Sequence, residues 1–283
     1  MELADLHIHS NKSDGLLSPS QIVDCGVEKG LKALSITDHD TIDGIETAID
    51  YAADKDIEVI PGIEFSTEYE GVEVHMLGYC FDYKNFELNS FLKKLKDSRI
   101  ERAKKMVKQL NNIGIQISFE DVCKLAKSAS SIGRPHVARA LINHGYASRI
   151  EEAFDKYMSY GRPGYVERYK ISPFQAIELI SRCNGVSSLA HPGLIINVDK
   201  LQLIKRLKEW GLSGIEVYHT KHSEEDSKRF YDIAMNLELI PTGGTDFHGD
   251  LGAGKPMIGD VTVPYENVLK LKKRKSMLNS SHN

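Results

Sequence analysis

Histidine and acidic side chains recur along this chain beside short apolar segments. The first group is Asp5-Leu6-His7-Ile8-His9, in which one residue separates two imidazoles. Residues two apart in a strand point to the same side, so His7 and His9 can contact one cation together. The set mixes imidazole with carboxylate and contains no thiolate, which favours Mn²⁺, Fe²⁺ or Zn²⁺. Side chains of the same types follow at Asp14, His39, Glu64, His75, His191, Asp246 and His248.

The apolar segments beside these residues are predicted to be strands, and helical patterns alternate with them. The predicted strands cover 3–9, 33–37, 57–60, 72–79, 185–190, 214–218 and 239–242. The predicted helices cover 18–30, 41–53, 173–183, 199–210 and 224–236. The alternation predicts a largely parallel sheet, and about seven strands favour barrel-like closure. Loops at the carboxyl ends of barrel strands converge, so we expect the candidate ligands to meet there.

Residues 86–168 differ from the rest of the chain in pattern and in charge. Apolar residues recur there at helical spacing, which predicts a helical insertion. The segment has sixteen Lys or Arg against nine Asp or Glu, whereas the remaining residues have twenty against thirty-one. We therefore predict a metal-binding domain of residues 1–85 and 169–283, with 86–168 as a basic lid that can contact phosphate. The alternative is that the lysines form a solvated helix face.

Together these motifs resemble those of the polymerase and histidinol phosphatase (PHP) superfamily. The matching segments are H-x-H at 7–9, Thr37-Asp38-His39-Asp40, Pro61-Gly62-Ile63-Glu64, His75, Ala190-His191-Pro192 and Thr245-Asp246-Phe247-His248-Gly249. The resemblance implies an α/β fold, namely a distorted (β/α)7 barrel with the helical insertion. It also implies a hydrolase, a phosphatase or phosphodiesterase that uses two or three divalent metal ions.

The same resemblance implies how the ligands divide among the ions. Every position holds a residue of the expected type. The implied sets are His7, His9, Glu64 and Asp246 for one ion, Asp14, His39 and His248 for a second, and His75 and His191, bridged by Glu64, for a third.

Gly133-Arg134-Pro135-His136, inside the insertion, resembles a phosphate-contacting segment of one PHP branch. That branch acts on nucleoside 3′,5′-bisphosphates and, as a 5′-to-3′ exoribonuclease, on short RNA. An arginine fork suits phosphate oxygens, and His136 can add a donor or a proton. The alternative is an ordinary helix start with a capping arginine. His219 and His222, after the sixth predicted strand, can contact substrate or have a structural role.

The predicted mechanism is attack on phosphorus by a water that the bound cations activate. Glu64 and Asp246 are the catalytic ligands, and Arg134 stabilises charge on the phosphoryl oxygens. His136 or a metal-bound water protonates the departing oxygen. Two further acids are predicted to orient the ligands, Asp38 and Asp40.

Three functions are compatible with these residues. The first is a phosphatase or exonuclease whose substrate is a small nucleotide, such as a nucleoside 3′,5′-bisphosphate or short RNA. The second is a phosphatase for a non-nucleotide metabolite such as histidinol phosphate. The third is a non-catalytic metal-stabilised module, which the complete ligand set disfavours.

Composition indicates an ordinary globular chain, since the 283 residues are 41% hydrophobic and 27% charged. The start lacks a basic and apolar leader, and no apolar run reaches the length of a membrane span. We therefore expect neither a secretion signal nor a membrane partner, and nothing indicates a stable protein partner. The cysteines favour a reduced, cytoplasmic protein over a disulfide framework, and they are Cys25, Cys80, Cys123 and Cys183.

Overall fold

The computed structural model describes residues 2–126, 132–167, 169–249 and 256–280. All candidate site residues lie within these ranges. Arg168, where the predicted insertion ends, lies outside the described residues, as do the chain ends at 1 and 281–283.

The strands of the described residues form two sheets. One sheet has the order β3-β2-β1-β9 and the other the order β4-β5-β6-β7-β8. The strands are β1 (Leu3–Ile8), β2 (Ala33–Ile36), β3 (Glu58–Val59), β4 (Gly62–Tyr69), β5 (Val72–Tyr79), β6 (Val186–Leu189), β7 (Gly214–His219), β8 (Ile240–Gly244) and β9 (Val263–Pro264).

Two short parallel bridges join the sheets. Ile8, at the end of β1, pairs with Phe247 just after β8. His39, just after β2, pairs with Glu64 of β4. Each bridge therefore brings together two segments that carry candidate ligands.

β1 and β8 approach each other closely at the position of His7. A Cβ atom at Gly244 would lie 2.3 Å from the backbone nitrogen of His7, so only glycine fits there. One step further, the backbone N–H of Asp246 donates to the carbonyl of His7 at 2.8 Å. This contact fixes Asp246 next to the first pair of histidines.

The half of the fold around β4 and β5 differs from the sequence prediction. The pattern places Glu64 in a loop, whereas the structure has it in the strand β4. β4 pairs antiparallel with β5, and β5 pairs antiparallel with β6, so the expectation of a largely parallel sheet is wrong here. The chain reverses at Glu70 and Gly71, which both have positive φ and so suit a two-residue hairpin turn. His75 consequently lies within β5, opposite Ser66, and not at the carboxyl end of a strand.

Helices separate most of the strands. The pair Ser18-Pro19 predicts a helix start, with serine as N-cap and proline at the first helical position, and the structure confirms it. The second helix begins at Ile45 rather than Thr41. The helices are α1 (Pro19–Glu28), α2 (Ile45–Ala52), α3 (Phe86–Asn112), α4 (Phe119–Ala126), α5 (Arg134–Asn143), α6 (Ile150–Ala153), α7 (Pro173–Arg182), α8 (Lys200–Glu209), α9 (Glu224–Asn236) and α10 (Tyr265–Ser280).

Helices α3 to α6 lie between β5 and β6 in the chain and share an apolar core of their own. A π-helix, Phe154–Met158, follows α6 directly. The predicted amphipathic helix at the start of this segment is confirmed by α3. The side chains of this core include Met106, Leu110, Val122, Leu141 and Met158. A second apolar cluster packs between β4–β7, the helices α7, α8 and α9, and the first half of α3, which contributes Leu88, Leu92 and Leu95.

Two further properties concern membrane-spanning helices and the cysteine thiols. Among the described helices, none combines the length and the apolar character that crossing a bilayer requires. All four cysteines are free thiols. Burial raises the pKa of Cys80 and of Cys183 to about 11, so both thiols stay protonated at neutral pH.

Candidate metal centre

All nine candidate ligands converge on one cluster. Their ligand atoms form four overlapping groups, and the atoms of each group lie within 4.8 Å of one another. Glu64 belongs to two of the groups. The groups are His9, Asp14, His39 and His248; His7, His9 and Asp246; His7, Glu64 and His191; and His39, Glu64 and His75.

His7 and His9 project from the same side of the chain, as the alternation of a strand requires. Their Nε2 atoms are 3.1 Å apart. Oδ1 of Asp246 lies 3.4 Å from Nε2 of His7 and 3.1 Å from Nε2 of His9. Oε2 of Glu64 lies 3.5 Å and 3.3 Å from the same two nitrogens. Two imidazole nitrogens and two carboxylate oxygens thus face one point.

Asp14, in the loop after β1, faces the second group. Its Oδ1 is 3.4 Å from Nε2 of His248, and its Oδ2 is 3.9 Å from Nε2 of His39. Nδ1 of His9 lies 3.7 Å from Oδ1 of Asp14. The structure therefore adds His9 to the second set that the family resemblance implies.

Glu64 is the meeting point of the remaining ligands. Its Oε1 lies 2.9 Å from Nδ1 of His75 and 3.0 Å from Nε2 of His191. The resemblance pairs these two histidines, but here His75 groups with His39 and His191 groups with His7. The two rings reach Glu64 from different strands, since His75 projects from β5 whereas His191 follows β6.

Several donor atoms of the cluster make no hydrogen bond within the described part of the chain. Buried polar atoms without a partner are costly, and imidazole with carboxylate suits divalent transition metals. Nδ1 of His39 faces Oε2 of Glu64 at 2.9 Å, but the angles exclude a hydrogen bond. The residues therefore fit a group of such cations. The buried atoms that make no hydrogen bond within the described part of the chain include Nδ1 of His9, His39 and His191 and Oε2 of Glu64.

The charges in the cluster reinforce one another. Burial alone would raise the pKa of Glu64, but the neighbouring imidazoles hold it well below its usual value. The pKa values of Asp14 and Asp246 are held low in the same way. The carboxylates in turn raise the pKa of His7 and His9 against the effect of burial. The acids are thus ionised at neutral pH, and cations compete with protons for the imidazoles.

Further buried carboxylates hold the loops that carry the ligands. Asp38 accepts hydrogen bonds from the hydroxyls of Ser10 and Ser13, both at 2.6 Å, and this fixes the loop that carries Asp14. Asp5 accepts from the hydroxyl of Thr245 at 2.7 Å and from its backbone N–H at 3.0 Å. An orienting role was predicted for Asp38, whereas that of Asp5 is visible only in the structure.

Glu216, on β7, is a residue that the sequence analysis does not single out. It is fully buried, and its Oε1 lies 2.9 Å from Nδ1 of His7. One sequence feature could have indicated its role. Glu216 is an acidic residue inside the apolar segment Gly214–His219, and a buried acid needs a partner.

His219 and His222 have partners that occupy their ring nitrogens. Nε2 of His219 lies 3.3 Å from Oδ2 of Asp246, and its Nδ1 accepts from the backbone N–H of Lys221 at 3.1 Å. Nδ1 of His222 lies 2.9 Å from the carbonyl of Val217, and its Nε2 accepts from the N–H of Gly193 at 3.0 Å. These contacts favour the structural role for both histidines over substrate binding.

Replacement of His222 by alanine is expected to lower the free energy of unfolding by about 1–3 kcal/mol, because it leaves two backbone groups without their partner. Urea denaturation measures this change. If His222 instead contacts substrate, the variant will raise KM and leave the unfolding free energy unchanged.

A cavity of about 140 Å³ lies beside the cluster. Asp14, His39 and His75 contribute to one part of its lining. The helical segment contributes another part, with Arg99, Arg102, Arg134, Pro135 and Phe154. Cationic side chains and candidate metal ligands therefore face the same space.

Arg134 begins α5 and reaches this cavity. Its Nη2 lies 3.2 Å from Oε2 of Glu73, and its guanidinium lies 5.2 Å from the centre of the Phe154 ring. Phe154 is the first residue of the π-helix, a rare conformation that often occurs at functional sites. Glu73 also lies 3.2 Å from Nε2 of His75, so one exposed carboxylate contacts both sides of the cavity.

Arg99, on α3, is a second arginine at the cavity that the sequence analysis does not single out. Its Nε donates to Oδ2 of Asp40 at 2.8 Å, and its Nη2 donates to the hydroxyl of Ser66 at 2.9 Å. Asp40 thus orients a residue of the helical segment, whereas its predicted role is to orient metal ligands. Nothing in the lysine-rich pattern around position 99 distinguishes this side chain from a solvated one.

His136 has a different contact from the predicted one. Its Nδ1 accepts from the backbone N–H of Gly133 at 3.0 Å, which caps α5. Burial lowers the pKa of His136, so the ring is neutral at neutral pH. The lining of the cavity includes Gly133, Arg134 and Pro135 but not His136. The structure therefore favours a role in holding the start of α5, where Arg134 lies.

Sequence comparison identifies relatives along most of the chain. The model of the PHP domain family matches residues 5–169. A 3′,5′-nucleoside bisphosphate phosphatase of Chromobacterium violaceum is 32% identical over 253 residues, which cover 89% of each protein. A 5′-3′ exoribonuclease of Haemophilus influenzae is 32% identical over 250 residues, covering 88% of this chain and 90% of the relative.

Structural comparison also finds a protein that is similar along nearly the whole chain. The crystal structure of a candidate metal-dependent phosphoesterase from Bifidobacterium adolescentis superposes with a TM-score of 0.86 at 29% identity. The match covers 96% of both chains.

Proposed function

This chain belongs to the PHP domain family, and we propose that it is a metal-dependent phosphoesterase that acts on small nucleotides. The observation that carries the proposal is the convergence of nine imidazole and carboxylate side chains beside a cavity with three arginines. The proposed substrates are nucleoside 3′,5′-bisphosphates and the 5′ ends of short RNA. Two relatives that are 32% identical to the chain bear the names of these activities.

The proposed metal ligands are the nine residues of the cluster, with Glu64 shared among two or three divalent cations. Such cations supply an activated water and positive charge for the phosphoryl oxygens. Mn²⁺, Fe²⁺ and Zn²⁺ all suit the mixed ligand set. The chain contributes the carboxylates of Glu64 and Asp246, which are buried or nearly so and stay ionised.

Arg134 is proposed to bind a phosphate group of the substrate. It lines the cavity that also contains His39 and His75, and the Phe154 ring restricts its guanidinium. An arginine in a fixed orientation can offer two parallel donors to phosphate oxygens. The exposed carboxylate of Glu73 holds the guanidinium, so a phosphate dianion would replace it.

The helical segment 86–168 is proposed to act as a basic lid over this site. The apolar core of its later part is separate from that of the sheets, whereas the start of α3 packs against them with Leu88, Leu92 and Leu95. The ion pair of Arg99 with Asp40 attaches the segment close to His39. A net positive lid favours substrates with several phosphates. This property supports a nucleotide bisphosphate or an RNA end over a monophosphate metabolite.

The seven longer strands are proposed to close a distorted (β/α)7 barrel around the cluster. Within the sheets the order is β2-β1 and β8-β7-β6-β5-β4. The bridge between Ile8 and Phe247 connects β1 to β8, and the bridge between His39 and Glu64 connects β2 to β4. These two bridges support a closed ring whose ligands face one opening.

A cytoplasmic location is also proposed. Support comes from the four free thiols, two of which, Cys25 and Cys123, are partly exposed. Free thiols persist where the environment is reducing.

A panel of phosphate esters tests the proposed function. We expect the protein, loaded with Mn²⁺, Fe²⁺ or Zn²⁺, to hydrolyse adenosine 3′,5′-bisphosphate and a short 5′-phosphorylated RNA faster than adenosine 5′-monophosphate or histidinol phosphate. Protein treated with a chelator is the control, and metal content is measured on the same samples. Faster turnover of histidinol phosphate than of every nucleotide would instead support the metabolite phosphatase. Absence of turnover with all three metals would support a non-catalytic module.

A further inference from the structure

Glu216 connects two candidate ligands that come from different parts of the chain. Its Oε1 lies 2.9 Å from Nδ1 of His7, on β1. Its Oε2 accepts the backbone N–H of His191 at 2.6 Å, just after β6. Glu216 itself lies on β7 and is fully buried, and both of its oxygens are engaged in this way.

The contact with His7 determines which nitrogen of that ring is available. A carboxylate oxygen accepts hydrogen bonds, so Nδ1 of His7 carries the proton in this pair. In the neutral ring that a cation requires, Nε2 then has the lone pair, and this is the atom that faces His9, Glu64 and Asp246. The partner of Nδ1 thus holds the ring in the tautomer and the orientation that a ligand needs.

The contact with His191 holds its backbone in a conformation that residues other than glycine seldom adopt. His191 has φ of 24° and ψ of 61°, in the left-handed region. Such a conformation is unfavourable for a residue with a Cβ atom unless surrounding contacts hold it. The short hydrogen bond to Glu216 is one such contact, and it fixes the point from which the His191 ring reaches Glu64.

We propose that Glu216 is a positioning residue of the metal centre, which sets His7 and His191 in their coordinating geometry. The inference rests on the proposed function, because it presumes that these histidines bind cations. It adds a residue outside the lining of the cavity, whose hydrogen bonds to the cluster are those with His7 and His191.

A carboxylate is the group that this position requires. Both neighbours are donors, and glutamate offers two acceptor oxygens. Glutamine has nearly the same shape but offers one acceptor and one donor, so it can serve His7 or His191 but not both. Leucine serves neither. The order of metal affinity should therefore be glutamate, glutamine and leucine.

The test measures Mn²⁺ affinity directly, by competition with a fluorescent chelator. For Glu216→Gln we expect binding about 10–100-fold weaker than in the unchanged protein, the usual effect of losing a partner of a metal-binding histidine. Activity of the variant should recover toward that of the unchanged protein as Mn²⁺ is raised, which a merely structural defect would not allow. Glu58→Gln is the matched control, because Glu58 accepts from Tyr265 and Lys272 outside the cluster.

The outcomes separate the inference from the proposed function. If the unchanged protein binds none of Mn²⁺, Fe²⁺ and Zn²⁺, the proposed function fails and the inference fails with it. If the unchanged protein binds Mn²⁺ and Glu216→Gln binds it equally well, only the positioning role is overturned.

A second measurement keeps the inference testable if the variants do not fold. Long-range ¹H–¹⁵N spectra of the unchanged, Zn²⁺-loaded protein report which ring nitrogen of His7 carries a proton. We expect a proton on Nδ1 that exchanges slowly with solvent. A proton on Nε2 instead would overturn the role of Glu216.

Discussion

Replacement of Glu64 by glutamine is expected to remove bound metal and to lower kcat/KM by about 1000-fold or more. The rings of five histidines face its carboxylate within 3.5 Å, and they are His7, His9, His39, His75 and His191. Without this negative charge, less of the positive charge of the cations is neutralised at the point where the groups overlap. Several kcal/mol of transition-state stabilisation depends on such cations, and each 1.36 kcal/mol corresponds to a tenfold change in rate.

The physical reason is that Glu64 serves more than one group. A ligand at the edge, such as His248, lies near the carboxylates of Asp14 and Asp246 and belongs to a single group of candidate ligands. Glu64 instead contributes Oε1 toward His191 and His75 and Oε2 toward His7 and His9. Its removal should therefore weaken binding of all the cations together, whereas His248→Ala should weaken mainly one.

Metal content by mass spectrometry and steady-state kinetics measure the two effects on one sample. Glu58→Gln makes the same chemical change outside the cluster and should retain both metal and activity. Full metal content with normal kcat/KM in Glu64→Gln would contradict the shared role of Glu64.

Replacement of Arg134 by alanine is expected to leave metal content unchanged and to raise KM for a nucleoside bisphosphate about 10–100-fold. Hydrogen bonds to charged groups contribute about 1.5–3 kcal/mol each, which is the origin of this range. Arg134 lies at the cavity but contacts Glu73 and Phe154 rather than the cluster itself, so the cations should not depend on it.

Two variants sharpen this test. Arg149→Ala removes the same charge from an exposed position of the lid and should change KM little. Arg134→Lys keeps the charge but loses the planar fork, so its KM should lie between those of the unchanged protein and Arg134→Ala. Unchanged kinetics in Arg134→Ala would exclude the proposed phosphate contact.

The first ligand pair was predictable because its geometry is local. His7 and His9 lie two apart in one strand, and the strand's own alternation brings them together. Asp246 and His248 were predictable as residues after a strand, although their approach to β1 depends on Gly244, whose role appears only in three dimensions. For these residues the local pattern and the final geometry agree.

The surroundings of Glu64 and His75 show where local pattern fails. Both residues were identified as candidate ligands, and the predicted strand 72–79 contains His75, but the pattern placed Glu64 after a strand and did not predict the antiparallel pairing. The structure instead has an antiparallel hairpin, since Glu70 and Gly71 form a turn with positive φ at both positions. A glutamate in that turn gives little signal in a sequence, so the reversal was not predicted.

Residues that act through others were the hardest to predict. Glu216 lies in an apolar segment and Arg99 in a lysine-rich one, and neither belongs to a motif. Their roles follow from partners far away in the chain, such as His7 for Glu216 and Asp40 for Arg99. For His222 the sequence left substrate contact and a structural role open, and the backbone groups that contact its ring become visible only in the structure.

Anomalous diffraction from crystals grown with Mn²⁺ is the most direct test of the metal centre. We predict at least two anomalous peaks inside the cluster, one of them bounded by His7, His9, Glu64 and Asp246. Peaks confined to the protein surface, or none at saturating Mn²⁺ with these four side chains ordered and in place, would contradict the account.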